Sequence, residues 1–249
     1  MSPRLLTTLI VPLALASCGQ ADSAPAAPTR AAQPIAGASA AHPVVLELFQ
    51  SQGCSSCPPA NANVNALADR PDVLALSFAV TYWDQLGWKD TFGSPRWTAR
   101  QWDYARAAGR GQVATPQVIV NGGPTIVGSN RAQLDALLAS AGPAKGGPEI
   151  SEADGRVHLA AAAAPSAPVT VWLVRYDPRS REVPISAGEN GGRTLPHRDI
   201  VRELVRLGDW RGPAADFRLP AATERGLSSA VLMQQGQGGA IVAARKLAA

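Results

Sequence analysis

A globular pattern of apolar runs and helical periodicity begins at Val44 and predicts a compact fold from there on. Val44–Phe49 and Asp72–Thr81 are mostly apolar and short, as is typical of buried central strands. Between them, apolar residues recur at helical spacing, which predicts one buried helix face formed by Ala60, Val64, Leu67 and Ala68. The pattern therefore begins as strand, helix, strand.

The same alternation continues to about residue 142. Residues 95–108 carry a helical face (Trp97, Gln101, Tyr104 and Ala105), and Gln117–Val120 reads as a third strand. The turn signal Asn121–Pro124 returns the chain to a partner strand at Thr125–Gly128. Asn130 is a good N-cap for a closing helix. This order predicts an α/β domain at residues 43–142 with a mixed sheet of thioredoxin type.

Beyond a Gly- and Pro-rich linker at 142–148 the pattern changes to short strands. They are predicted at Arg156–Ala162, Val169–Tyr176, Ser228–Gln234 and Ala240–Ala244. Turn signals at Asp154-Gly155 and at 236–239 separate strands of this region. The sequence thus predicts a mainly β, sandwich-like domain at residues 149–249. The apolar spacing of Asp199–Leu207 suits either a strand or a helix.

The residues before Val44 carry targeting signals rather than a fold pattern. Arg4 precedes the apolar stretch Leu5–Leu15, which is too short to span a bilayer, and Leu15–Cys18 resembles a bacterial lipobox. We expect residues 1–18 to be a lipoprotein signal peptide ending at Cys18, which would be lipidated. An ordinary secretory signal is the alternative, and the protein would then be secreted. Residues 19–42 are rich in Ala, Pro, Ser and Thr and are expected to form a disordered tether.

Composition and charge give no sign of a nucleic-acid partner, and the residue after Cys18 bears on which membrane would hold the protein. The chain has 249 residues, 46% of them hydrophobic, which is enough for one sizeable core or two modest ones. The formal net charge is +4, and the basic residues are scattered, so no nucleic acid is expected. Gly19 follows Cys18 where Asp would favour inner-membrane retention. A periplasm-facing lipoprotein of the outer membrane is therefore favoured, with the membrane contacted through the lipid on Cys18.

The cysteine count points to dithiol chemistry. The chain has three cysteines, and once Cys18 is lipidated only the pair Cys54 and Cys57 remains. The pair lies between a predicted strand and a predicted helix, and a helix N-terminus favours the thiolate form of a cysteine. Cys54 is thus the expected nucleophile and Cys57 the resolving thiol.

A Thr-Pro pair supplies a second signal for such a site. Thr115 and Pro116 precede a strand at the place where thioredoxin-like folds carry a cis-proline facing the dithiol. A cis bond there would put the Thr115 backbone beside Cys54, where an extended substrate could pair with it. The alternative is an ordinary trans proline that begins a strand.

Other uses of the two cysteines remain open at this point. A zinc site needs about four ligands, and His42, His158 and His197 are scattered along the sequence. Copper(I) accepts fewer, softer ligands, so a carrier using Cys54, Cys57 and His197 is the main alternative. A static structural disulfide is another, although so short a loop gains little entropy. No cofactor is expected.

Two further stretches have polar or aromatic residues whose role the sequence leaves open. The loop around Trp83, Trp88 and Phe92 suits either core packing or the rim of a redox site. Asp84 in that loop is a hypothetical proton acceptor near Cys57. The stretch 188–193 (Gly-Glu-Asn-Gly-Gly-Arg) reads first as a turn and domain contact, and second as part of a site.

The residues as a set resemble the DUF1223 family of secreted bacterial proteins. The resemblance rests on the segments 48–59, 82–90, 98–101, 115–122, 188–193 and 207–210, and it runs from about Pro43 to near the end. It implies a thioredoxin-like fold, while the family's function is not established. Ala114 stands where an aromatic residue is expected, which changes the substrate-facing surface.

Together these observations predict a thiol-disulfide oxidoreductase or redox-linked assembly factor of the cell envelope. Its partners would be protein or small thiol and disulfide substrates, and Cys54 and Cys57 would do the chemistry. The copper(I) carrier remains the alternative from another functional class.

Overall fold

A large mixed sheet with helices on both faces forms the centre of the molecule. The computed structural model describes residues 33–248, which from Pro34 onward form one compact unit. Within these residues the sheet has eight strands, and three α-helices pack on it: α1 (Pro58–Asn65), α2 (Pro95–Ala107) and α3 (Arg131–Ala141). The predicted α/β class is therefore confirmed.

The first half of the sheet comes from residues 44–126. It contains β1 (Val44–Gln50), β2 (Val73–Ala79), β3 (Gln117–Val120) and β4 (Thr125–Ile126). β1 runs parallel to β2 and antiparallel to β3, and β4 pairs antiparallel with β3. All seven residues of β1 and of β2 are buried, as their continuous apolar runs predict.

The second half of the sheet continues directly beside β2. β7 (Val169–Asp177), β10 (Ile200–Trp210), β12 (Ser228–Gln235) and β13 (Ile241–Lys246) complete the order β13-β12-β7-β10-β2-β1-β3-β4. Strands on both sides of the predicted 142–149 boundary thus share one sheet, which differs from the arrangement of two separate domains that the sequence suggests. The segment Asp199–Leu207, ambiguous in sequence, lies almost entirely in β10.

Five short strands form two smaller sheets. β5 (Ile150–Ala153), β6 (Arg156–Leu159) and β11 (Ala215–Arg218) make a three-stranded sheet, and β8 (Arg181–Pro184) and β9 (Thr194–His197) make a hairpin. The three-stranded sheet packs on the large sheet through a cluster of apolar side chains that includes Val157, Trp210 and Met233. This sheet-on-sheet packing is what the second part of the chain contributes of a sandwich.

Two apolar cores lie on opposite faces of the large sheet. On one face α2 buries Trp97 and Tyr104 against Phe49 and Phe78, whose rings stack with centroids 5.2 Å apart. On the other face α1 and α3 bury a second cluster that includes Val64 and Leu134. The Asn130 side chain accepts from the Gln133 amide at 3.0 Å, so the predicted N-cap of α3 is confirmed.

The residues just before β1 correct one expectation. Residues 34–42 were expected to belong to a disordered tether, yet Ile35 is buried and its amide donates to Asp72 at 2.7 Å. The Ala40 carbonyl accepts from the Lys246 amide at 2.9 Å. Ile35 is the one large apolar side chain in this stretch, and its burial against the α1 and α3 core explains the order. The signal peptide, Cys18 and the rest of the tether lie outside the described residues.

Candidate functional site

The Cys54–Cys57 pair lies where β1 ends and α1 begins. The two residues form a disulfide, and the loop before α1 is a pair of tight turns in which the Cys54 amide donates to Ser51 and the Cys57 amide to Cys54, both at 3.1 Å. Cys57 is the N-cap of α1, and Pro58 and Pro59 occupy its first turn, where missing amide donors cost nothing. The sequence prediction of this placement is confirmed.

The disulfide is completely buried. Cys54 and Cys57 each have 0% of their surface exposed, so a substrate sulfur cannot contact either one unless the surrounding loop moves. The hydroxyl of Ser56 lies 3.3 Å from the Cys54 sulfur, within hydrogen-bond distance. Such a hydroxyl would donate to a thiolate formed at Cys54.

The turn at residues 188–193, which we call the capping turn, holds the cysteine loop in place. The side chain of Asn190 is buried and donates to the carbonyls of Gln52 at 2.8 Å and of Cys54 at 2.9 Å. Its own oxygen accepts from Arg193 at 2.8 Å. The capping turn lies more than 130 residues from the cysteines in sequence, and the fold brings the two together.

Glu189 of the capping turn contacts the same loop from the solvent side. Its carboxylate accepts from the Ser55 amide at 3.0 Å. Hydrogen bonds from the side chain and backbone of Ser55 hold the pKa of Glu189 below its ordinary value. The negative charge of Glu189 therefore contacts the backbone of the residue that follows Cys54.

A buried polar network fixes the other side of the cysteine loop. The Gln52 amide donates to Asp90 at 2.7 Å, and the Gln52 side chain accepts from the Trp88 indole at 2.9 Å and the Thr91 amide at 3.1 Å. Burial raises the pKa of Asp90 to about 6. The hypothesis that Asp84 serves Cys57 gains no contact, since its carboxylate accepts from the Asp90 amide at 3.1 Å. Asp90 is thus the buried carboxylate near the loop.

The Thr115–Pro116 bond is cis and lies next to the cysteine loop through Trp83. The Trp83 indole donates to the Thr115 hydroxyl at 2.7 Å, and a Cβ on Gly53 would lie 3.3 Å from the Trp83 Cβ. Trp83 therefore bridges the two segments and also packs on the core, which supports the packing interpretation of this residue. Beside Pro116 lies an open groove of about 310 Å³ whose lining includes the exposed Val127.

His197 belongs to no group of metal ligands among the described residues. It is on β9, 1% exposed, with its ring edge-on to Phe92, and burial lowers its pKa to about 4. Among residues 33–248, no group of three or more His, Cys, Asp or Glu side chains is arranged to hold a metal ion. The set Cys54, Cys57 and His197 is therefore not assembled as a copper(I) site in this structure.

Sequence reasoning missed several residues of the site. Asp90 was seen only as part of the aromatic loop, Asn190 and Glu189 only as part of a turn and domain contact, and Ser56 was not singled out. The Gly-Glu-Asn-Gly-Gly-Arg run was the one available signal, because a buried Asn in a Gly-rich turn needs partners for its amide.

Among residues 33–248, none of the helices has the length and hydrophobicity that a transmembrane span requires.

Comparison with known proteins identifies the family. The model of a family described as "Protein of unknown function (DUF1223)" matches residues 45–234. A solved Agrobacterium tumefaciens protein from a structural genomics programme is 31% identical, with a TM-score of 0.66 over 82% of this chain and 93% of that one. HBP35 of Porphyromonas gingivalis, 14% identical, has a TM-score of 0.54 over 83% of this chain and 74% of its own, a likeness of fold alone. No curated protein matches the sequence. The chain belongs to the DUF1223 family.

Proposed function

We propose that this protein is a thiol-disulfide oxidoreductase, or a redox-linked assembly factor, that works through Cys54 and Cys57. The observation that carries the proposal is the Cys54–Cys57 disulfide at the start of α1. A dithiol at a helix start can form a reactive thiolate and close again to a disulfide. The nearby Thr115 and the groove beside Pro116 would contact the substrate.

We further propose that residues 43–142 are a thioredoxin-like unit. The strand order β2-β1-β3-β4, with β3 antiparallel to its neighbours and helices on both faces, supports this assignment. The remaining strands then extend that unit's sheet at the β2 edge and supply the capping turn.

The exchange reaction moves two electrons between the pair and a substrate. In the reducing direction the Cys54 thiolate attacks a substrate disulfide, an S–S bond forms to Cys54, and one substrate sulfur leaves as a thiolate. Cys57, after losing its proton, then attacks the Cys54 sulfur. The Cys54–Cys57 bond closes and the second substrate sulfur leaves, so the substrate is reduced and the pair oxidised. The opposite direction runs these steps in reverse.

One specific observation favours a second candidate, a static structural disulfide. Both sulfurs are fully buried and the loop is held by Asn190 and Asp90, so attack at either sulfur needs the loop to open. Oxidoreductase function requires that such opening occur in the folded protein.

The experiment compares the protein with its Cys54→Ser and Cys57→Ser variants in insulin reduction. If the proposal holds, the protein accelerates the reaction, Cys57→Ser accumulates mixed disulfides through Cys54, and Cys54→Ser does neither. A pair that stays oxidised in the folded protein at millimolar glutathione, with no acceleration of insulin reduction, would establish the static disulfide instead.

We place this activity in the cell envelope, with Cys18 lipidated and protein or small thiols as substrates. The proposal rests on the lipobox-like Leu15–Cys18 and on the disulfide, which oxidising compartments favour. Expression in a Gram-negative host tests it. Lipidation predicts an acylated protein in the outer-membrane fraction, and Cys18→Ser should remove both the acyl mass and the membrane association.

A further inference from the structure

The capping turn puts a carboxylate on the amide of Ser55, the residue that follows the proposed nucleophile. Glu189 is exposed, but its carboxylate is anchored by the 3.0 Å hydrogen bond from the Ser55 amide. Asn190, the next residue, is fully buried and bonded to the Gln52 and Cys54 carbonyls. The buried neighbour Asn190 therefore holds the backbone of Glu189 in place, and the Ser55 amide holds its carboxylate.

The start of α1 has few donors that could stabilise a thiolate at Cys54. Pro58 and Pro59 have no amide hydrogen, and the Cys57 amide already donates to the Cys54 carbonyl. The amide of Ser55 is occupied by Glu189. The hydroxyl of Ser56, 3.3 Å from the sulfur, is a donor in contact with it. Two side chains thus act on Cys54 in opposite directions.

We propose that Glu189 is a positioning residue that favours the oxidised form of the Cys54–Cys57 pair, by occupying the Ser55 amide and placing a negative charge against the residue that follows the Cys54 thiolate. This inference rests on the proposed function, because it concerns how readily the same pair is reduced. Ser56 works against Glu189 by donating its hydroxyl to that thiolate.

The electron balance sets the sign of the effect. Reduction breaks the S–S bond with two electrons from two molecules of a thiol such as glutathione, which are oxidised together to one disulfide and pass their protons to the pair or to solvent. It leaves a Cys57 thiol and, above the Cys54 titration midpoint, a Cys54 thiolate. The disulfide is neutral, so the Glu189 charge destabilises only the thiolate form. Removing the charge should make the pair easier to reduce, and only at a pH where the thiolate is present.

Two other charged groups face the loop and stay unchanged in the test. The Arg193 guanidinium binds the Asn190 oxygen from the capping turn, and the Asp90 carboxylate accepts from the Gln52 amide on the opposite side. Asp90 changes charge near pH 6, because burial raises its pKa to about 6. Its contribution is common to the protein and the variants and cancels in the comparison.

The test uses Glu189→Gln, which keeps an acceptor for the Ser55 amide and removes the charge. Glu182→Gln is the matched control, since Glu182 is an exposed carboxylate on the preceding strand β8. The reduced proteins are alkylated with iodoacetamide across pH 5–10, and the Cys54–Cys57 potential is measured against glutathione over the same range. We expect about threefold more thiolate in Glu189→Gln below the midpoint, because a surface charge several ångströms away acts through water.

The potential should follow the same pattern. At high pH it should rise by about 14 mV in Glu189→Gln, from 29.6 mV per tenfold for a two-electron couple, and the difference should vanish at low pH. Ser56→Ala should shift both readouts the other way, and Glu182→Gln should match the protein.

The outcomes separate this inference from the proposed function. Equal midpoints and potentials in the protein and in Glu189→Gln would overturn the role of Glu189, even if the protein exchanges disulfides. A shift in Glu189→Gln would uphold that role even if the protein proves inactive toward insulin, in which case only the proposed function fails. A shift of the same size in Glu182→Gln would also overturn the inference, since it would show a general effect of charge.

Discussion

A buried ion pair connects the two halves of the large sheet, and its removal gives a quantitative prediction. Glu47, in the middle of β1, accepts from Arg100 of α2 at 2.8 Å, and the Tyr104 hydroxyl donates to the same carboxylate. Arg100 also donates to Gln234 of β12 at 3.1 Å. The side chains of Glu47 and Arg100 are 1% and 8% exposed. Every charge in this network is therefore paired away from water.

Replacing Arg100 with Leu leaves the Glu47 carboxylate buried without its cationic partner and hydrogen-bonded to the neutral Tyr104 hydroxyl. Removing one member of a buried pair costs about 3–5 kcal/mol in unfolding free energy, because the remaining charge stays desolvated. Glu47→Gln in the same background removes that charge while keeping an acceptor for Tyr104. The double variant Glu47→Gln/Arg100→Leu should therefore be more stable than Arg100→Leu alone by about 2 kcal/mol.

The assay is urea unfolding of the oxidised protein at pH 7, with equal slopes required for the comparison. Arg106→Leu is the matched control, because Arg106 is on the same helix and its ion pair with Asp103 is exposed. It should lose less than about 1 kcal/mol. The reasoning fails if Arg100→Leu loses no more than Arg106→Leu. It also fails if the double variant is no more stable than Arg100→Leu.

Three further outcomes are expected. Asn190→Ala should lose about 2–4 kcal/mol in urea unfolding and speed disulfide reduction by dithiothreitol, because two buried carbonyls of the cysteine loop lose their donor. The raised pKa of Asp90, about 6, means that the folded state binds more protons than the unfolded one between about pH 4 and 6. The contribution of this group to the free energy of unfolding should thus fall by about 3 kcal/mol as the pH rises through that interval and stay level above it. Unfolding measured at stepped pH should show this slope in the protein, and Asp90→Asn should lose it. Gly122→Ala should lose at least about 2 kcal/mol in the same assay, since φ is +70° and a Cβ would meet the backbone of the β12–β13 turn, whereas the neighbouring Gly123→Ala should lose less than about 1 kcal/mol.

Local chemistry explains which elements the sequence predicts well. Asn130 caps α3 and Pro95 begins α2 because their effects act within one turn of the helix. β10 could not be read in the same way. Register shifts between Val201 and Glu203 and between Arg206 and Gly208 break the alternation of its side chains. A period-two pattern interrupted twice in eleven residues resembles neither a clean strand nor a helix.

The site was only half predictable for a different reason. Cys54 and Pro116 could be predicted from the sequence because a cysteine after a strand and a proline before one are unusual residue types at those places. Asn190 and Glu189 are ordinary turn residues, and their role arises from the Gln52 and Cys54 carbonyls and the Ser55 amide, which lie more than 130 residues away. The pairing of β10 beside β2 creates that proximity, and no local periodicity encodes it.

The second half of the chain holds α1 at both ends, which explains why the cysteine loop depends on it. At the first end Asn190 and Glu189 bind the loop, and at the last Asn65 donates to the Pro196 carbonyl at 3.0 Å and accepts from the Arg198 amide at 3.2 Å. α1 has eight residues, fewer than an isolated helix needs to be stable in water. Its position, and with it the position of the Cys57 N-cap, is therefore set by tertiary contacts, which are its core packing against β1 and α3 and the hydrogen bonds from residues 189–198.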